Sequence, residues 1–195
     1  SRILEKNHIR NAVICSKEMC FALMGISIND TLLDIIVNDM IQKTVEINNC
    51  ACSAIISNPL SDYLKLADTY QKLKEGFHIR MIRKQQWQCI FLDELQYDRI
   101  MLHISEDTEV HQFIRCKLGP LVEYDRAHDT QLLETLEALI QNHNSRKLAA
   151  ESLFLHRNTM VHRINKIEEV LHCSLDDTEI MEQLEFAIKM KMYAH

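Results

Sequence analysis

The stretch from Asn144 to Ile167 constrains this chain more than any other. Asn144 or Ser145 can cap a helix there, because a short polar side chain takes up the backbone N–H groups left free in a first turn. The first helix is predicted from about Ser145 to Leu153. Ala149, Ala150 and Leu153 lie on it at helical spacing and are small or apolar, so a partner can pack closely. After a tight turn a second helix is predicted from about Arg157 to Leu171. At about 100° per residue, Met160, Ile164, Ile167 and Leu171 fall on one apolar stripe. Asn158, Thr159, His162, Asn165 and Lys166 fall opposite, and Arg157 and Arg163 flank them. A short helix, a turn and a second helix with one greasy and one basic-polar face is the layout of a helix-turn-helix. Such a unit lays its second helix in the DNA major groove.

Charge sharpens that expectation. The 195 residues carry a formal net charge of -6, which argues against a chain that binds nucleic acid over its whole surface. Between Ser145 and Lys166, however, Arg146, Lys147, Arg157, Arg163 and Lys166 face a single acid, Glu151. A basic island in an acidic chain is the footprint of a small DNA-reading element. Arg, Asn and Lys can pair base edges, and Thr and Lys suit phosphates. The N-terminal turn of such a helix usually comes closest to bases. Arg157, Asn158 and His162 are therefore expected to read bases. Arg146, Lys147, Thr159, Arg163 and Lys166 are expected on the DNA backbone.

The rest of the chain divides into two textures. Ile9 to Cys15 and Met19 to Met24 read as two strands joined by a tight turn at Ser16-Lys17-Glu18. Asn29-Asp30 can cap a helix on which Leu32, Leu33, Ile36, Val37, Met40 and Ile41 recur. Ala51 to Ser57 is a third strand candidate. A further helix is expected from Ser61 or Asp62, with Gly76 as its stop. Phe77 to Leu95 reads as one or two edge strands. From Asp107 onward the pattern is helical. A short helix Thr108–Leu118 is expected to stop at Gly119-Pro120, with Leu121 to Asp125 a connector. The next helix starts near Asp129 and carries Leu132, Leu133, Leu136, Leu139 and Ile140. A last one follows Asp176-Asp177-Thr178, burying Ile180, Leu184 and Ile188. Three glycines and two prolines leave little room for a flexible linker.

From about Leu118 to the end the chain resembles the C-terminal domain of the PucR family of bacterial transcriptional regulators, which includes the carbohydrate diacid (CdaR-like) regulators. The matching strings are Leu118-Gly-Pro-Leu-Val-Glu-Tyr-Asp125, Leu132-Leu-Glu-Thr-Leu136, Ala150-Glu-Ser-Leu-Phe-Leu-His-Arg-Asn-Thr159, Arg163-Ile-Asn-Lys-Ile-Glu-Glu-Val-Leu171 and Leu175-Asp-Asp177. The resemblance implies a Fis-like helix-turn-helix without a wing that binds operator DNA. The chain departs at Val161 and His162, where the family often carries Arg and an aromatic residue, and at His143, where Gly is common. These departures bear on target sequence and affinity, not on fold. Residues 9–105 more weakly resemble the degenerate GGDEF-like domain that precedes this helix-turn-helix, through Asn58-Pro-Leu-Ser-Asp-Tyr63 and Tyr70-Gln-Lys-Leu73. No Gly-Gly-Asp/Glu-Glu-Phe string occurs, so nucleotide cyclisation is not expected.

These readings give an α+β chain in three parts. Residues 1–105 form a GGDEF-like α/β regulatory domain of ferredoxin-like character, 106–127 a helical connector, and 128–195 the DNA-binding domain. The seven cysteines are odd in number and lack any Cys-x-x-Cys, which favours a reducing cytoplasm. Cys50 and Cys52 read as strand residues rather than metal ligands. His103, Asp107 and His111 could share a helix face able to hold a metal, but read better as surface and capping residues. No apolar run reaches membrane length, and no phosphate loop or nucleophile motif occurs. No enzyme activity, cofactor or metal is expected. The expected partners are double-stranded DNA, a second copy of the chain, and a small-molecule effector acting through a missing N-terminal domain, since the chain opens at Ser1 as an excised fragment would. The competing expectation is a ligand- or partner-binding signalling module without direct DNA binding.

Overall fold

The computed structural model describes residues 10–15, 20–25, 30–48, 53–60, 62–83 and 89–194. The predicted turn at Ser16-Lys17-Glu18, Asn29, Cys50 to Cys52, Ser61 and Trp87 lie outside the described residues. The chain forms two compact units, Ser1–Leu95 and Gln96–His195. It is mainly helical, with two small sheets rather than one continuous sheet among the described residues.

In the first unit, β1 (Arg10–Cys15) and β2 (Cys20–Gly25) pair antiparallel, with Arg10 opposite Gly25 and Cys15 opposite Cys20. Helix α1 spans Asp30–Asn48 and buries Ile36, Val37 and Ile41. β3 (Ala54–Ile56) is followed by a 3-10 turn, Tyr63–Lys65, whose cap Asp62 accepts from the Leu64 N–H at 2.9 Å. Helix α2 (Leu66–Arg83) then leads to β4 (Cys89–Phe91), which pairs parallel with β3. Parallel neighbours need such a crossover, and a helix supplies it.

Gly76 does not stop a helix. It sits in mid-α2 on the stripe of Thr69, Leu73 and Ile79. A Cβ there would lie 2.8 Å from Ile55 Cδ1 and 3.1 Å from Leu95 Cδ1, so the missing side chain lets α2 approach β3 closely. The stretch from Phe77 therefore continues the helix to Arg83, and among its described residues it yields one strand.

The second unit is all helix: α3 (Gln96–Ser105), α4 (Thr108–His128), α5 (Leu132–Gln141), α6 (Arg146–Ser152), α7 (Arg157–Leu171) and α8 (Thr178–Tyr193). α3 rests on α8, where the Tyr193 hydroxyl donates to the buried Asp98 carboxylate. The chain divides between Leu95 and Gln96, about ten residues before the division at Ser105 drawn on the sequence. α4 also overturns an expectation, because it runs straight through Gly119-Pro120. Proline removes one helical N–H and crowds the preceding turn. The helix nonetheless continues because Leu118 (2% exposed) and Leu121 (fully buried), on either side, are both seated in the core. Leu121 to Asp125 is accordingly helical and not a connector.

His103 and Asp107 do not share a helix with His111. Asp107 is the N-cap of α4, accepting from the Glu109 N–H at 2.7 Å, while His103 lies on α3. Between α5 and α6 the chain turns through His143 and Asn144, both left-handed at φ 51° and 61°. Asparagine tolerates that region, and glycine takes it freely. The histidine at 143 is therefore strained.

Candidate nucleic-acid interface

Ser145 caps α6, its hydroxyl accepting from the Leu148 N–H at 3.4 Å. Ala149 and Ala150 are buried on the inner face of α6, which brings its backbone close to α5 and α7. α6 ends after Ser152, and the chain turns over Leu153 and Phe154.

α7 begins at Arg157, as its sequence pattern predicts. Its cap is His156, whose Nδ1 accepts from the Asn158 N–H at 3.2 Å. Sequence reading named no cap here, because histidine is not among the usual Ser, Thr, Asp and Asn. Met160, Ile164 and Ile167 of α7 are at most 1% exposed. Burying each is worth about 1.5–3 kcal/mol. Rolling α7 about its axis would forfeit that, so these three residues fix which face points outward. The outward residues are Arg157, Asn158, Thr159, His162 and Asn165, all exposed. No acid occupies the first turn of α7, where the free N–H groups and the positive dipole end favour an anion.

Of the eight residues singled out on sequence, five stand open. Lys147 on α6 is 85% exposed and only loosely approached by Glu151 at 4.0 Å. Arg157, Asn158, Thr159 and His162 share the exposed N-terminal half of α7. Two more are held in surface ion pairs. Arg146 reaches Asp176 at 2.8 Å and Lys166 reaches Glu169 at 2.7 Å. The Glu169 hydrogen bond above all raises the Lys166 pKa above its ordinary value, against a smaller opposing effect of burial. Its ammonium also lies 5.5 Å from the centroid of the Tyr124 ring. Such exposed pairs hold weakly and can exchange for a phosphate.

Arg163 is a different case. It is half-buried, its Nη1 donates to Thr135 Oγ1 and its Nη2 to Gln131 Oε1, both at 3.1 Å. Thr135 is fully buried and its hydroxyl donates to the Gln131 carbonyl at 2.7 Å. Arg163 therefore braces α7 against the start of α5. Asp125, from the last turn of α4, supplies the missing cap of α5. It accepts from Thr130 Oγ1 at 2.6 Å, the Leu132 N–H at 2.7 Å and the Leu133 N–H at 2.9 Å. Burial alone would push the Asp125 carboxyl up. The Leu133, Thr130 and Leu132 hydrogen bonds and the Arg163 charge outweigh it and hold the pKa below the ordinary 3.8. Sequence reading missed Asp125, Gln131 and Thr135 because no local pattern ties them to Arg163.

With that geometry, the comparison with known families is decisive for this region. Residues 132–190 match the PucR C-terminal helix-turn-helix domain. The match runs from the first residue of α5 to Met190 in the last turn of α8, and so includes the exposed face of α7. The chain is 31% identical over 130 residues to the proline-responsive transcriptional activator PutR of Bacillus subtilis (strain 168), covering 66% of this chain and 32% of that protein. It is 32% identical over 91 residues to the purine catabolism regulatory protein of the same organism, covering 47% of this chain and 17% of that one. A third relative, an uncharacterized protein in the pkwA 5' region of Thermomonospora curvata, is 35% identical over 97 residues, covering 50% of this chain and 53% of its own length. The chain thus spans about a third or less of the two regulators it resembles. Residues 132–190 are thus a PucR-type helix-turn-helix domain, and the two named relatives are regulatory proteins. No helix among the described residues is long and apolar enough to cross a membrane.

Proposed function

We propose that this chain regulates transcription in the PucR/CdaR manner, by laying α7 in the major groove of operator DNA. The observation that carries the proposal is the outward face of α7. Arg157, Asn158, Thr159 and His162 are exposed there while Met160, Ile164 and Ile167 lock the opposite face into the core. Arg157, Asn158 and His162 read bases; Lys147, Thr159 and, on exchange of their ion pairs, Arg146 and Lys166 hold phosphates. Arg163 sets the angle of α7 through Thr135 and Gln131 rather than touching DNA. A single helix of this length buries too little surface for tight specific binding, so two copies read two half-sites. Residues 10–95 serve as a degenerate GGDEF-like scaffold for regulation or association; the helix-linked parallel pair β3–β4 is the support for that reading. A small-molecule effector controls its activity, and the protein works in the cytoplasm without catalysis of its own.

Fluorescence anisotropy with labelled duplex DNA tests the proposal. Affinity should fall steeply with added salt as counterions are released. Arg157→Ala should lose about 1–3 kcal/mol on a selected site and little on random duplex. Salt-insensitive binding, or retention of no duplex at all, would favour instead a signalling module that docks a ligand or a protein.

A further inference from the structure

The turn between α6 and α7 carries a side chain for which the helical unit has no use. α6 closes with two backbone bonds, Phe154 N–H to the Glu151 carbonyl at 3.1 Å and Leu155 N–H to the Ala150 carbonyl at 2.8 Å. This closure puts the donor of the first bond, Phe154, in the left-handed region at φ 55°. Glycine takes that conformation without steric cost and asparagine with little. Phenylalanine is strained in it, and the residue is 97% exposed to water. The fold recovers neither cost. Left-handed backbone recurs at His143 and His172, but among the described residues only here does it carry an apolar aromatic side chain left in water, and that combination points to something outside the fold that uses it.

Position says what that is. Phe154 lies two residues before the cap His156 and three before Arg157. Three residues of chain reach at most about 11 Å, less than the roughly 12 Å width of a major groove. A duplex that receives the first turn of α7 is therefore within reach of the ring. The base edges in that groove are polar apart from the thymine C5 methyl group.

We infer that Phe154 is a sequence-reading residue, its ring packing on a thymine methyl beside the bases met by Arg157 and Asn158. The inference rests on the DNA-binding reading and adds to it a preference that hydrogen bonding cannot supply. The ring also accounts for an aromatic where glycine would fold better.

The test uses the full chain and duplexes that it selects from a random-sequence pool, each made with thymine and again with uracil in its place. Phe154→Gly should bind the thymine duplexes about three- to tenfold more weakly than wild type. Uracil should weaken wild type by a similar factor and leave Phe154→Gly unchanged. Resistance of the variant to denaturant should hold or rise, since glycine relieves the strain. Unchanged affinity, or equal sensitivity of both proteins to uracil, overturns the inference. So does easier denaturation, which would make the ring structural, or lost self-association in sedimentation, which would assign it to a second copy. A wild type that retains no duplex from the pool removes the DNA-binding reading and this inference together, and is told apart from the other outcomes because wild type itself fails.

Discussion

Replacing Asp125 with alanine should loosen the joint that sets the recognition helix, and the size of the effect can be worked from its contacts. Among the described residues Asp125 is the only side chain found capping α5, because the formal cap residue Gln131 makes no side-chain cap bond. Removing an N-cap of this kind costs about 0.5–2 kcal/mol, and an acceptor that is charged and takes two backbone N–H groups plus a hydroxyl belongs at the upper end. We expect about 2 kcal/mol, which corresponds to roughly thirtyfold faster hydrogen exchange at the Leu132 and Leu133 amides if they exchange by local opening. The pH dependence follows from the direction of the shift. The folded pKa lies below 3.8, so the carboxylate stabilises the native state fully above the unfolded value and loses that contribution as pH falls through the folded one. Denaturation of wild type and Asp125→Ala, followed by far-ultraviolet circular dichroism, should therefore differ at neutral pH and converge as pH falls through the folded pKa. A difference under about 0.5 kcal/mol at neutral pH, or one that persists undiminished into strong acid, would refute the capping argument.

Three further outcomes follow from the same structure. Arg163→Ala should cost about 1–2 kcal/mol of stability by removing two hydrogen bonds from a charged donor, yet leave the salt slope of DNA binding unchanged; a slope reduced by about one would return Arg163 to the phosphate contacts. His143→Gly should raise stability by about 1 kcal/mol, the strain of a left-handed non-glycine residue less the entropy glycine adds to the unfolded chain; a lower denaturation midpoint would contradict it. Burial first, and then the nearby Glu168 charge, raise the pKa of Cys173, so alkylation at mildly alkaline pH should label exposed Cys116 well before Cys173, and mass spectrometry of the digested protein would detect the reverse order.

What the sequence made legible was whatever depends on neighbours along the chain. α7 was readable to its ends because its apolar residues recur at one period and its basic residues at the complementary angle. The β1–β2 pair was readable from two apolar runs of matching length. The failures share one cause, a local penalty outweighed by distant packing. Pro120 and Gly119 look like a stop, yet Leu118 and Leu121 bury too much surface for the helix to end there. Gly76 looks like a C-terminal cap, yet it is the point where Ile55 and Leu95 close on α2. Within the site, exposure of Arg157, Asn158, Thr159 and His162 follows from periodicity alone. The engagement of Arg163 does not, because Thr135 lies 28 positions away.

The division of the charges follows from that packing, and it reconciles a net charge of -6 with the proposed DNA-binding face. Arg163 and Asp125 meet at the joint of α4, α5 and α7, where their opposite charges are set against each other and against fixed hydrogen-bonding groups. They orient α7 without adding to its outward potential. Arg146 and Lys166 are held by single surface carboxylates, Asp176 and Glu169, that a phosphate can replace. Lys147 and Arg157 stand open from the start. On the proposed DNA-binding reading, the positive field of this face is therefore partly masked in the free protein and would grow as those two carboxylates are displaced. Replacing Asp176 and Glu169 with asparagine and glutamine should consequently tighten binding to random duplex, most strongly at low salt, where exposed charges are least screened. Weaker or unchanged binding to random duplex would mean that these carboxylates position the basic residues instead of competing with DNA for them.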